Sequence, residues 1–350
     1  MPPPPRLEFP SSGLLPLPPG TRPLYVPTNT KASYVDSWNF TIQSEIRHDM
    51  SLSVAYVGNV GRKLFSNVDI NAPFPGPGDV NPRRPYHVHP GVDIQVTDRC
   101  HCQSSSYNGL QVVLEKRFSI GYSFMSSYTW SKALDVEFGG FGWGGQAQDP
   151  HNVRASRGIS EYSRASLWTM GHAWRLPYGT GGKWGANAHP VAKALLGGWI
   201  FDGITTVGSG WPVAINWGDA SSLNVGGAYG QRPDLVGHPG ISNPSRTLWF
   251  NPKAFANPPL YHFGNYGRDG GDLRGPGYFT ADWALAKELA FKTPLSQEKT
   301  TLQIRFEGYN VFNRTNLAMP VNTADASVAG QIFDIQGNVR RLQFGLRMAW

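Results

Sequence analysis

Cys100 and Cys102 flank His101, with His87 and His89 a short way upstream. Thiolates and imidazoles are metal ligands, but a zinc site needs them to converge at recognised spacings, and this cluster has none. A loop disulfide or two free thiols is therefore expected, without a metal. Two glycine-rich stretches, Gly139-Gly140-Phe141-Gly142-Trp143-Gly144-Gly145 and Gly179-Thr180-Gly181-Gly182-Lys183, could in principle wrap a phosphate. The first lacks the Lys-Ser/Thr of a phosphate loop, and in the second Trp184 stands where the magnesium-binding hydroxyl is required. Gly208-Ser209-Gly210 has no nucleophile-elbow spacing. Asp135 and Glu137 form a loop acid pair rather than two carboxylates held across a glycosidic bond. Each constellation fails at a required residue, so the expectation is no enzyme activity, no cofactor, and no catalytic, cofactor-binding or metal-binding residues.

What remains is the framework that would have held such residues. Charged residues make up 16% of the 350-residue chain and aromatics 13%, a charge content well below the roughly 25% usual for soluble domains. With 41 Gly and 29 Pro, turns and long loops are favoured over helices. The net charge of +7 is scattered rather than gathered into a basic arm, which argues against a nucleic-acid partner. No apolar run is long enough for a transmembrane helix. The N-terminal MPPPPRLEFP lacks the continuous apolar stretch of a secretory signal.

Strand periodicity is widespread. In 106–117, Leu110, Val112 and Leu114 alternate with Gln111, Val113 and Glu115. In 122–133, Tyr122, Phe124, Ser126, Tyr128 and Trp130 alternate with Ser123, Met125, Ser127, Thr129 and Ser131. Only Phe118-Ser119-Ile120-Gly121 separates these two, which predicts a hairpin with a positive φ at the glycine. Further strands are predicted at 36–46 (Trp38, Phe40, Ile42, Ile46) and 51–60 (Leu52, Val54, Tyr56). Others fall at 163–176, at 198–215 around Ile200, Ile204 and Val207, and at 278–290 (Phe279, Ala281, Trp283, Leu285, Leu289). In 300–312, Leu302, Ile304, Phe306 and Phe312 stand opposite Gln303, Arg305, Glu307 and Tyr309.

The chain ends RRLQFGLRMAW. Leu342, Phe344, Leu346, Met348 and Trp350 occupy alternate positions, with Arg341, Gln343, Gly345, Arg347 and Ala349 between them. Alternate side chains of a strand point to opposite faces, so one face is wholly apolar. Its length matches the roughly 9–11 residues of a tilted membrane-crossing strand, and a tryptophan suits a membrane–water boundary.

The connections between the predicted strands alternate between long and short. Residues 313–339, 216–277, 134–162 and 61–105 are long; 291–299, 118–121 and 47–50 are short; 177–197 is intermediate. A soluble sandwich has no reason to sort loop length by end, whereas a transmembrane barrel has short turns on one side and long loops on the other. The fold class expected is all-β: the C-terminal portion of an antiparallel transmembrane β-barrel, about nine strands in an open or partial barrel, with long extracellular loops. An odd count is unlike the even numbers of bacterial single-chain barrels and suggests a barrel without its front part. Residues 1–33 are expected to be a Pro-rich part of an extracellular loop and 34–350 the barrel portion. Leu342, Phe344, Leu346, Met348 and Trp350 are the expected membrane-assembly strand. Gln303, Arg305, Glu307, Arg341, Gln343 and Arg347 are the lumen-facing candidates. The aromatic-rich 134–162 connection could touch an extracellular ligand or pack among loops.

Several stretches, in order, resemble the Oar-like branch of TonB-dependent outer-membrane receptors: SYNGLQVVLEKRFSIGYSFMSSYTWSKALD (106–135), RGISEYSRASLWTMGHAWRLPYG (157–179), GGWIFDGITTVGSGWPVAI (197–215), WFNPKAFANPP (249–259), LRGPGYFTADWALAKEL (273–289), and LQIRFEGYNVFNRTNLAMP with the terminal LQFGLRMAW. The resemblance implies a barrel wall in the cell outer membrane for energised uptake, or surface binding, of an unidentified extracellular ligand. It implies as partners outer-membrane lipid, the barrel-assembly machinery, and TonB only through a plug segment not found in this sequence. The sequence also leaves open a secreted soluble β-rich module that stacks its aromatic residues on carbohydrate.

Overall fold

Alternation of apolar with small or polar residues is the pattern of a half-buried strand, and it recurs along the long strands of the chain. In a computed structural model, residues 24–87, 95–136, 147–179, 182–226, 230–268, 273–292 and 299–349 are described. Their strands run in chain order: β1 (Leu24–Tyr25), β2 (Tyr34–Arg47), β3 (Met50–Asp69), β4 (Thr97–Ser119), β5 (Tyr122–Asp135), β6 (Gly158–Ile159), β7 (Ser166–Arg175), β8 (Trp199–Gly208), β9 (Asp234–Leu235), β10 (Phe255–Ala256), β11 (Tyr278–Lys292), β12 (Lys299–Tyr309) and β13 (Arg341–Ala349). One short helix, α1 (Pro190–Leu196), precedes β8.

Eleven strands form one sheet, in the order β13-β12-β11-β8-β7-β5-β4-β3-β2, with β1 added to β4 and β6 to β5. The nine long strands are the nine expected from periodicity, and every neighbouring pair is antiparallel. β2 and β13 are not paired with each other, so the sheet is an open one.

Residues paired across an antiparallel ladder project to the same face. One rung therefore carries Ile42, Val54, Val112, Tyr128, Trp168, Val207 and Phe279 across seven strands on a single face. A second, on the same face, carries Tyr122, Trp174, Phe201, Leu285, Phe306 and Phe344. This apolar face is uncovered: Phe344 is 78% exposed and Leu346 73%. From Tyr122 to Trp130 it spans eight residue steps, roughly 27 Å along the strand and about 21 Å in height at a tilt near 40°, close to the band of a membrane barrel. Polar groups on it find local partners. The indole of Trp168 donates to Ser126 Oγ at 2.9 Å, and that of Trp283 to Thr205 Oγ1 at 3.1 Å. Lys287 lies over the Trp199 ring at 5.3 Å and donates to the carbonyls of Leu195 and Gly197 at the C-terminal end of α1, which lets a cation persist there.

The tight β4–β5 connection is built as expected at Gly121, whose φ is +79°, although Ile120 also takes a positive φ of 51°. A Cβ on Gly121 would meet the Arg175 carbonyl oxygen at 2.8 Å. The neighbouring β2–β3 turn is tied to it. Lys116 and Ser119 both donate to the Asp49 carboxylate, and the Arg117 amide donates to the Asp49 carbonyl at 2.8 Å. The Lys116 and Ser119 bonds hold the Asp49 carboxyl down at about 2.

The structure corrects several details. β3 and β4 run on to Asp69 and from Thr97, so the expected 61–105 loop shrinks to 70–96. Cys100 and Cys102 sit on β4 rather than in a loop, and they are disulfide-bonded to each other. β8 ends at Gly208, because Trp211–Ile215 turn away to join the loop core. Ile200 and Ile204 project opposite to Val207, alongside Asp202. Phe312 falls beyond the end of β12 and packs edge-on to Trp283 with ring centres 5.0 Å apart. His89, Glu137, the 139–145 glycine stretch, residues 180–181 of the second one, most of the Pro-rich segment (1–23) and Trp350 lie outside the described residues.

Candidate functional site

The face opposite the apolar belt carries the polar alternates. On β12, Gln303, Arg305 and Glu307 share that face with Arg341, Gln343 and Arg347 of β13: Tyr309 is opposite Arg341, Glu307 opposite Gln343 and Gln303 opposite Arg347. The structure joins Gln303 and Arg305 to acids that sequence reasoning did not single out. Arg305 donates to both carboxylate oxygens of Asp202 on β8, at 2.9 and 2.7 Å, and to Glu307 Oε1 at 2.6 Å. Gln303 donates to Glu288 Oε1 at 3.2 Å, and Glu288 also accepts from Arg175 at 3.0 Å. Tyr309 donates to Glu307 Oε2 at 3.3 Å. Arg341 turns instead to Asn338 of the adjoining loop, at 3.1 Å.

Asp202, Glu288 and Arg175 could have been found by the same parity. Asp202 falls between Phe201 and Gly203, and Glu288 between Lys287 and Leu289, out of phase with the apolar belt. What hid their partnership is that it crosses an intervening strand. β11 lies between β8 and β12 and presents Ala284 and Ala286 to this face, 7% and 0% exposed. Their small side chains leave room for Arg305 to arch over them.

At the long-loop end, the polar face opens into a cavity of about 510 Å³ lined by Tyr278, Thr280, Asp282, Tyr309, Arg341 and Gln343 among others. Asp282 there accepts from the Asn310 amide at 2.7 Å and from Thr280 at 3.2 Å. Hydroxyls, an amide, a carboxylate and a guanidinium offer donors and acceptors in balance, which suits a polar, uncharged or zwitterionic surface.

Above this end, the long connections pack on one another. Val213, Ile215, Phe250, Ala254, Phe255, Tyr266 and Leu273 from the 209–277 connection form a core with Ala324 and Ala329 from 310–340. Phe255 meets Phe250 and Tyr266 edge-on, with ring centres 6.0 and 5.0 Å apart. Leu223 and Val225 pack with Ala72 of the 70–96 connection. Polar ties complete the cap. Gln148 donates to Gly264 O at 3.1 Å and accepts from the Arg232 amide at 2.7 Å, while His151 stacks on Phe74 at 4.2 Å. Arg164 lies 4.2 Å from the Trp211 ring centre, and burial lowers its pKa. In the described part of 134–162, Gln148 and His151 pack among the loops, whereas Tyr162 is 65% exposed. Among the described residues, no group of His, Cys, Asp and Glu could hold a metal ion.

A family model described as an outer membrane beta barrel domain matches residues 2–343. The crystal structure of the outer membrane transporter YddB from Escherichia coli is similar with a TM-score of 0.47 and 9% identity. The similarity covers 94% of this chain and 34% of that one, so the chain spans about a third of the solved structure's length. No curated protein matches.

Proposed function

Because the chain belongs to the outer membrane beta barrel domain family and its place is the cell outer membrane, we propose that it forms part of the wall of a TonB-dependent, Oar-like receptor. That receptor takes up, or holds at the surface, an extracellular ligand. The observation that carries this reading is the division of labour along the sheet axis. Short and intermediate connections lie at one end; at the other, four long connections fold into a packed cap beside a polar cavity. A bare structural wall has no need of a cap with its own apolar core.

The charged network around Arg305 and Glu288 supports a lumen in contact with water or with a plug segment, through which TonB would act. Barrel-assembly machinery would recognise the β13 strand that carries Leu342, Phe344, Leu346 and Met348. The pairing of β1 with β4 at Thr97 and Asp98 supports assigning residues 1–33 to the extracellular side. No catalytic step is assigned to the chain. The uncovered belt crossing nine strands favours this reading over a soluble carbohydrate-binding module.

The test is depletion of a defined peptide- and sugar-containing medium by cells expressing the gene, followed by mass spectrometry. Depletion that stops in a strain lacking TonB, or when the proton-motive force is dissipated, supports energised uptake. Depletion that is the same in all cells contradicts it.

A further inference from the structure

The face of β3, β4 and β5 that carries the membrane belt continues outward beyond it, and successive rungs change character. Tyr56, Leu110 and Trp130 share one rung; Gly58, Asn108 and Lys132 the next; Val60, Ser106 and Leu134 the one after; then Arg62 stands opposite Ser104. Two cavities follow this gradient. The lower, about 350 Å³, is lined by Tyr56, Leu110, Trp130 and Lys132 among others. The upper, about 900 Å³, is lined by Arg62, Lys63, Arg154, Arg157, Ser104 and Ser106, and among the described residues that line it none is an acid. Arg157 is held in place by hydrogen bonds to Ser104 Oγ at 3.1 Å and Ser106 Oγ at 2.8 Å. Arg62 has only a long 3.9 Å approach to Asp36 on its own face.

We propose that this pair of cavities is a binding site for an outer-leaflet glycolipid, with acyl chains against Tyr56, Leu110 and Trp130 and a phosphorylated saccharide headgroup among Arg62, Lys63, Arg154 and Arg157. The physical reasons are position and order. Arg62, Ser104 and Ser106 of the cationic cavity stand on the belt face, not on the polar face that carries Arg305 and Glu307. Arg62 is six residues beyond Tyr56, roughly 20 Å along the strand and about 15 Å in height, within reach of a saccharide headgroup above the hydrocarbon. Apolar below and cationic above is the reverse image of an amphiphile with an anionic head. Guanidinium forks match phosphate oxygens bidentately, and serine hydroxyls supply further donors. A water-soluble anion would gain nothing from the lower cleft. The proposal needs only the membrane location and is independent of TonB-coupled uptake.

The test uses the full chain in neutral detergent micelles, with bis-phosphorylated lipid A as the probe and native mass spectrometry to count bound lipid. The doubly substituted Lys63→Gln/Arg154→Gln chain should bind lipid A at least about tenfold more weakly. Lys253→Gln, which removes an exposed cation that lines neither cavity, should match the unsubstituted chain. For the unsubstituted chain, binding should weaken as salt is raised, a readout that needs no variant to fold. Inorganic phosphate and a phosphorylated sugar without acyl chains should fail to displace the lipid. Equal binding by the double variant, binding indifferent to salt, or displacement by the acyl-free sugar at equal concentration would each overturn the proposal, the last in favour of a soluble anion.

Discussion

Arg305 on β12 reaches over β11 to grip both carboxylate oxygens of Asp202 on β8, at 2.9 and 2.7 Å. The contact spans two inter-strand gaps and ties three strands together on the polar face. Both side chains are about a third to a quarter exposed, so water screens the pair and its worth is modest. A double-mutant cycle with Asp202→Ala and Arg305→Ala, followed by urea unfolding from lipid vesicles, is expected to give a coupling of about 1 kcal/mol. Additive single substitutions would show that Arg305 rests on Glu307 alone.

The same bridge depends on the alanines beneath it. Ala284→Leu should push Arg305 off Asp202 and cost about 1–3 kcal/mol by overpacking. The cycle repeated in that background should show no coupling. Retained coupling would mean that Arg305 has another route to Asp202.

At the short-turn end, Asp49 gives a pH signature. Its folded value of about 2 lies below the ordinary 3.8, so its stabilising contribution is complete above about 4 and is lost as pH falls through about 2. Exchange of the Arg117 amide, which donates to the Asp49 carbonyl, should accelerate over that window relative to the intrinsic rate. The Asp49→Asn chain should show no such step. A step near pH 4 in the unsubstituted chain would mean that Lys116 and Ser119 do not hold the carboxylate.

The loop cap should behave as a folded unit. Phe250 is fully buried, and Phe250→Ala removes a ring from a packed core at a cost of about 3–5 kcal/mol. The expected outcome is rapid proteolytic nicking within 209–277 while the strands stay protected. Unchanged resistance would show that the cap is held by its hydrogen bonds rather than by its apolar core.

The sheet was legible because its signal is local. Phe40, Tyr56, Leu110 and Trp130 each stand out of phase with their chain neighbours, so period-two alternation places them before any partner is known. The loop-length alternation then orders the ends. The cap was not legible, since its contacts join residues far apart in sequence: Gln148 with Gly264, Arg268 with Asp135, Arg83 with Asn224. No periodicity marks Ile215 or Phe250 as core. The Asp202–Arg305 bridge was half legible, its parity plain and its partner hidden by β11. Cys100 and Cys102 were misplaced because β3 and β4 outrun their apolar stretch, continuing as polar strand through Arg62, Ser104 and Gln103.

Assembly should be sensitive to face rather than to charge. Phe344→Asp puts a charge on the belt near its middle, which costs kcal/mol and should block membrane insertion. Gln343→Asp, one residue away on the polar face, should insert normally. Detergent-dependent fractionation of the outer membrane separates the two, and identical behaviour of the two variants would contradict the assignment of faces.

The alternation of faces in β13 is tested most directly by spin-label accessibility, with single cysteines placed from 341 to 348 in a chain whose Cys100 and Cys102 are replaced by serine. In lipid vesicles, labels at 342, 344, 346 and 348 should be reached by oxygen and shielded from a water-soluble nickel reagent. Labels at 341, 343, 345 and 347 should show the opposite. Nickel accessibility without alternation along this strand would contradict a membrane-crossing sheet.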